Sequence, residues 1–257
     1  MSSRHATTMR RMARGQRGFT LVELMVTVAI ALFLLGGLVT ILQNVRGTYN
    51  NQQLLAQLQD QQRFAMTVLT DVIQAAGYFP DPLGTTANSA LPAVGNYQAG
   101  QPFWGTVGPP DSIGARYVTA GGDGVILCDG STNTGAAGTS QAYTNVFTVV
   151  PPAGAAPGQL QCALNGNAAV TLVNGVQGLT IYYGVKRNTA ITDYNVDTYL
   201  TANQMLVAGP NGNDWANISA VRVILTFNNP LWGQPGQPQF ITFERVIEVM
   251  SRAGVHT

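Results

Sequence analysis

The chain has 257 residues and only 10% of them are charged, so its polar surface must be built from Gly, Asn, Gln, Ser and Thr. A formal net charge of +1 conceals an asymmetry. Five of the thirteen basic residues (Arg4, Arg10, Arg11, Arg14 and Arg17) precede Gly18, and the remainder carries eight basic against twelve acidic residues, a net −4. Such a body is a poor candidate for nucleic-acid binding, which needs clustered Lys and Arg to neutralise phosphates. The basic head reads instead as a topology signal.

The first apolar run, Phe19 to Leu42, would be about 36 Å long as a helix, which exceeds the roughly 30 Å hydrocarbon core of a bilayer. It can span. Arginines on its amino-terminal side, with Asp60 and Asp71 as the first acids beyond it, predict a cytoplasmic amino end and an exported body. A conventional secretory signal peptide is the competing reading, but Leu42, Gln43, Asn44 and Val45 offer no small-residue cleavage site. One residue in the run stands out. Glu23 lies about 6 Å past Phe19, and a carboxylate in hydrocarbon costs a few kcal/mol, less near the interface. Either it is shallow enough to reach water, or it meets a positive charge of another chain.

The helical signal continues through RGTYNNQQLLAQLQDQQRFAMTVLTDVIQAAGY, which contains no proline. Leu54, Leu58, Ala65, Leu69, Val72 and Ala76 recur at the spacing of one helix face, with Gln52, Gln59, Asp60, Arg63 and Thr70 opposite. This half is therefore expected to lie in water against a globular body, ending at Gly77 with Pro80 and Pro82 behind it. From Phe19 to Ala76 a continuous helix would measure about 87 Å, longer than a domain core, so about half of it should project. Gly36 and Gly37 are the weak point, where the helix could bend or melt.

After Tyr78 the texture changes to short apolar runs between Gly, Pro, Asn and Asp, and residues 81 to 112 read as a long irregular connection. Strands are predicted at Val125 to Cys128, Val146 to Val150, Ala169 to Val173, Leu179 to Val185, Val221 to Phe227 and Phe240 to Met250. No amphipathic helices separate them, so the sheet should be mostly antiparallel. There is no internal repeat. GSTNTGAAGTSQ and PPAGAAPGQ read as exposed loops.

Histidine occurs only at positions 5 and 256, which leaves almost no room for Ser-His or Cys-His catalysis in the body. Glu244 and Glu248, with Arg245 and Arg252 nearby, fit a solvated strand face with ion pairing better than an acid dyad. The segment from Gly209 to Asp214 and the pairs Asp123-Gly124 and Asp129-Gly130 carry oxygens that calcium could use, but none has an EF-hand's spacing, and tight turns are the better reading. Asn217-Ile218-Ser219 fits a glycosylation triplet that its context does not decide. Trp104, Trp215 and Trp232 fall in loop-like sequence, as core anchors of loops or as partner contacts. Cys128 and Cys162, both in the exported part, are expected to form a disulfide, with two free buried thiols as the alternative. No zinc site or other cofactor is expected.

Arg17-Gly18-Phe19-Thr20-Leu21-Val22-Glu23 resembles the class III signal of type IV prepilins and pseudopilins: a basic leader ending in Gly, then Phe, then an apolar helix with Glu fifth. The resemblance implies that a membrane prepilin peptidase cuts between Gly18 and Phe19, that the new Phe19 amine is methylated, and that Glu23 pairs with the Phe19 amine of a neighbouring subunit. Within that superfamily, TYNNQQLLAQLQDQQRFAMTVLTDVIQAAGYFPDP is similar to the PilW-type minor pilins. VNGVQGLTIYYGV and ISAVRVILTF resemble that family's late strands more faintly. The likeness is carried chiefly by residues 14 to 80. Phe79-Pro80 stands where a Gly-Cys often follows the Tyr, so the family's disulfide pairing does not transfer, and the membrane segment lacks the Pro common in major pilins.

The expected fold is α+β: a long N-terminal helix packed by its second half on a C-terminal antiparallel β-sheet head. The expected organisation is a cleaved leader at 1–18, a pilin helix at 19–76 (19–42 in the membrane or filament core, 43–76 amphipathic) and a β-rich head at 77–257. The resemblance implies a structural minor pilin, not an enzyme, that primes or supports pilus assembly at or near the tip. Its partners would be prepilin peptidase, the major and other minor pilins and the inner-membrane assembly platform. It would sit in the inner membrane with its head in the periplasm, and on the surface pilus after assembly. A minor pseudopilin of a type II secretion system shares the leader and the Glu. A membrane-tethered periplasmic enzyme or binding protein would instead keep its leader and be active as a head alone.

Overall fold

A computed structural model describes residues 18–154, 156–188, 195–210 and 212–252. The chain divides into two compact units, Met1–Gln52 and Gln53–Thr257. One helix, α1 (Leu21–Ala75), contributes its first part to the first unit and its last part to the second. It runs unbroken through Gly36 and Gly37, the expected bend point. Thr20 starts it: its hydroxyl accepts the Glu23 N–H at 3.2 Å, satisfying one of the orphan donors of the first turn.

In the second unit α1 buries Leu58, Ala65, Met66, Leu69, Val72 and Ile73, and Ala76 just beyond it is buried as well. The expected face therefore holds from Leu58 onward, widened by Met66 and Ile73. Leu54 is exposed and falls outside it. Thr70, expected on the solvated side, is half-buried, and its hydroxyl accepts a 3.3 Å hydrogen bond from the Arg245 guanidinium.

Two antiparallel sheets follow. The first is a meander of β1 (Phe103–Thr106), β2 (Ser112–Ala120), β3 (Ser140–Val150), β4 (Gln159–Leu164) and β5 (Val170–Asn174), in that spatial order. The second combines β6 (Val176–Val185), β7 (Thr198–Leu200), β8 (Ile218–Asn228) and β9 (Phe240–Glu248), in the order β7-β6-β8-β9. The inward residues of both sheets join the α1 face in one hydrophobic cluster: Phe103, Tyr117, Phe147 and Leu160 from the first, Ile181, Tyr183, Val223 and Phe227 from the second. The fold is thus α+β, and the pairs among the nine strands are antiparallel. From the helix the chain passes directly onto the rim of the first sheet, where Gly77 donates its N–H to the Arg116 carbonyl at 2.8 Å and Tyr78 accepts from Val118 at 2.8 Å. Gly77 makes this turn at φ 79°, a left-handed conformation that favours glycine.

Several sequence expectations fail for identifiable reasons. Residues 81 to 112 are not wholly irregular: they contain a one-turn helix, α2 (Ala87–Ala90), and β1. SIGARYVTA forms β2 although it shows no alternation, because seven of its nine residues are buried and both of its faces are covered. Val125 to Cys128 is not a strand. Leu127 and Cys128 are buried there because the loop is tied inward: Cys128 is joined to Cys162 of β4, and its N–H donates to the Asn145 side chain at 3.0 Å. The remaining predicted strands stand, with bounds shifted by up to six residues at one end and with Met250 in a 3-10 turn instead of β9.

The disulfide links residues 34 apart, with Cα atoms 6.1 Å apart. On the chain-entropy account such a cross-link contributes about 3 to 4 kcal/mol. Paired replacement of Cys128 and Cys162 by Ser should lower the denaturant-unfolding free energy of the head by about that amount and abolish its sensitivity to reductant. An unchanged midpoint would contradict the assignment.

Candidate assembly segment and head surfaces

The first unit presents an unusual surface. Every described residue from Gly18 to Asn50 is exposed, and large apolar side chains face outward all round the helix, with Phe19 at 80% and Phe33 at 82% relative exposure. Leu24, Met25, Val28 and Leu32 flank Ala29, whose small side chain leaves a shallow groove along the helix. The helix is long and apolar enough to cross a membrane. An apolar surface of this extent is stable only in lipid or against other proteins.

Glu23 lies in the first turn of that helix, where the unpaired N–H groups favour negative charge. No cation of this chain is within ion-pair distance of it among the described residues. Gly18 and Phe19 precede the helix in extended backbone, and both are exposed. The basic leader residues Arg4 to Arg17, and His5 and His256, lie outside the described residues. The Thr20 cap went unread in the sequence, although Thr three residues ahead of Glu is a capping signal.

In the second unit a cleft of about 570 Å³ opens on the outer face of the first sheet. Tyr97, Trp104, Gly114, Arg116 and Thr144 are among its lining, and no histidine, cysteine or carboxylate is among the residues that line it. At its base Arg116 is fully buried, and its guanidinium donates to main-chain carbonyls of Pro92 (2.8 Å), Gln98 (3.2 Å) and Gln101 (2.8 Å) and lies 4.5 Å from the Tyr97 ring centroid. Burial lowers the Arg116 pKa, and the Tyr97 phenol beside it works against that shift. The residue staples loop 91–101 to β2. A Cβ on Gly114 would collide with the Tyr97 hydroxyl, so glycine is required under that ring.

The other candidates resolve into structure. Asp123 accepts the N–H groups of Ala120 and Val125, and Asp129 accepts that of Ser131, both as turns. Asp214 is buried, pairs with Arg187 at 2.6 Å and accepts the Leu206 N–H at 2.8 Å. No group of three metal-ligating side chains occurs among the described residues. Trp215 is buried in the core against Tyr183 (centroids 5.0 Å apart) and Trp104 (4.8 Å); Trp104, in β1 rather than a loop, is half-buried and packs on the core from the cleft side. Trp232 is 60% exposed and is not part of the core. Glu244 does ion-pair, but with Arg222 across the sheet at 2.7 and 2.9 Å, not with Arg245. Asn217 follows the 3-10 turn Asp214–Ala216 and is half-buried.

Asp197 closes the segment that begins at Arg187: its carboxylate accepts N–H bonds from Arg187 (2.9 Å) and Asn188 (2.6 Å) and a hydroxyl bond from Thr198 (2.8 Å). The two backbone bonds are the main reason its pKa lies below the ordinary carboxylate value. A depressed folded-state pKa contributes stability that is present above the unfolded-state value and lost as pH falls through the folded one. Asp197→Asn should therefore lower Tm at neutral pH and flatten its decline below about pH 4, a comparison that thermal melts across that range would make. Parallel curves for the two proteins would refute the role.

Comparison with known families agrees with both ends of this description. Residues 13–39 match the prokaryotic N-terminal methylation motif, and residues 147–238 match the type IV pilus-assembly protein W family. The second match falls on the late strands β3 to β8, where the sequence likeness was faint, and not on the Gln-rich helix that carried it. No curated protein matches the chain. Taken together, the two matches support a type IV pilin of the PilW type.

Proposed function

We propose that this chain is a minor pilin subunit of the type IV pilus that primes or supports assembly at or near the tip. The observation that carries the reading is the exposed apolar first part of α1, up to Asn50, with one carboxylate in its capped first turn. Prepilin peptidase cuts between Gly18 and Phe19, removing residues 1–18 and freeing the Phe19 amine, which is then methylated. Residues 19–42 hold the subunit in the inner membrane, with the amino end cytoplasmic and the head, residues 77–257, in the periplasm. On assembly Glu23 pairs with the Phe19 amine of a neighbouring subunit, so a charge that is costly in lipid gains its counter-ion in the filament. Gly36 and Gly37 give the segment room to yield as it leaves the bilayer.

The partners are prepilin peptidase, the major and other minor pilins and the assembly platform, and the action is association, not catalysis. The match to a pilus-assembly family favours this over a secretion-system pseudopilin, which would share the leader and Glu23. Glu23→Ala tests the reading in cells. The variant should still be processed and inserted but should leave few or no pili by electron microscopy. Normal piliation would sink the charge-pair mechanism.

A further inference from the structure

Among the described residues the two sheets end in four edge strands, and one differs from the others. β1 has four residues and β7 has three, while β5 has five and its pairing with β4 is bulged at Leu160/Gln161. β9 (FITFERVIE) runs nine residues in continuous register with β8, from Ala220↔Glu248 to Asn228↔Phe240, without bulge, proline or glycine. Long regular edges are avoided or blocked in natural sheets because their free N–H and C=O groups template a further strand.

The phase of this edge is fixed by two bonds that continue the ladder at its ends. Asn229 donates to the Gln239 carbonyl at 3.0 Å and Val249 to that of Ser219 at 2.9 Å, so odd-numbered residues of β9 face β8. Thr242, Glu244 and Val246 therefore turn their backbone groups outward. No described residue covers them: Thr242, Glu244, Arg245 and Val246 are all exposed although their side chains alternate between the two faces.

The charges on this strand are unequal. Glu244 is neutralised by Arg222 through two hydrogen bonds. Arg245, on the other face, meets only the Thr70 hydroxyl, at 3.3 Å, and has no carboxylate partner among the described residues. A second copy of β9 cannot supply one. In an antiparallel pair of two β9 strands related by a two-fold axis normal to the sheet, Arg245 faces only residues on its own side, which are Ile241, Phe243, Arg245 and Ile247.

We propose that the free edge of β9 accepts an edge strand of a different pilin-type subunit, one that places an acidic side chain opposite Arg245. Main-chain bonds from Thr242, Glu244 and Val246 give the pairing its strength, and the Arg245 charge selects the partner and its register. The partner's class rests on the function proposed above.

The test uses the full chain in cells that carry the pilus machinery, with the photo-cross-linker p-benzoylphenylalanine at position 246. Irradiation should join residue 246 to an extended segment of another pilin-type subunit, mapped by mass spectrometry, with an acid in register with Arg245. Thr242→Pro removes an outward N–H without touching the β8 ladder and should abolish the adduct, whereas Thr242→Ala should keep it. An intact Cys128 to Cys162 disulfide and an unchanged thermal midpoint establish that the proline variant is folded. Arg245→Glu, the second variant, should also lose the adduct and regain it when the opposing acid is changed to Arg. No adduct, an adduct only with a second copy, or one indifferent to Thr242→Pro overturns the proposal. Normal piliation in Glu23→Ala overturns the pilin mechanism itself, whereas an absent adduct with Glu23-dependent piliation overturns only the edge pairing.

Discussion

A helix that shows apolar side chains to its surroundings in every direction from Phe19 to Val45 must be covered by something other than water, and that requirement governs the rest of the molecule. Covering by lipid alone would leave Glu23 as a cost. Covering by identical or related helices changes the sign of its contribution, because a neighbour can bring a cation to it. A carboxylate in the first turn is also where a helix tolerates one best, next to unpaired N–H groups of which one is already taken by Thr20. Under the function proposed above, the same segment is stable in two surroundings, and the charge discriminates between them.

The head solves a different problem: how to hold a polar fold together with few charges. Arg116 shows the solution. A guanidinium buried without a carboxylate is expensive, yet here it is saturated by main-chain carbonyls of one loop and covered by the Tyr97 ring, so its charge is spread over neutral dipoles. Asn145 works in the same way between Cys128 and Ala115, and Asn133 between Thr119 and Gly135. Bonds of this kind are local and short-ranged, so the stability of the head should depend little on salt. The disulfide adds a covalent tie where loop 121–139 has few apolar anchors.

How much of this was legible in the sequence depended on periodicity. The long helix and its buried face from Leu58 to Ala76 could be read because helical spacing was sustained over many turns. VRVILTF could be read because only one of its faces is buried, which leaves a clean alternation. SIGARYVTA could not, since a strand buried on both faces with an arginine in its middle carries no alternation, and what satisfies Arg116 lies 15 or more residues away along the chain. Val125 to Cys128 misled for the opposite reason: only Leu127 and Cys128 are buried, beside a cross-link and not in a ladder, while Ile126 is exposed. Among the candidate site residues, Gly18, Phe19 and Glu23 could be singled out because the motif that names them is an order of neighbouring residues, the stretch that the methylation-motif match covers. The pairing of Glu244 with Arg222 was not, because it depends on which strands become neighbours.

The central claim is that the apolar segment is a processed assembly element and not a permanent anchor. Mass spectrometry of the mature chain isolated from sheared pili addresses it directly. The account predicts an amino terminus at Phe19 carrying one methyl group, with residues 1–18 absent. A chain recovered from cells only with Arg4 to Gly18 still attached, or with an unmodified terminus elsewhere, would contradict it.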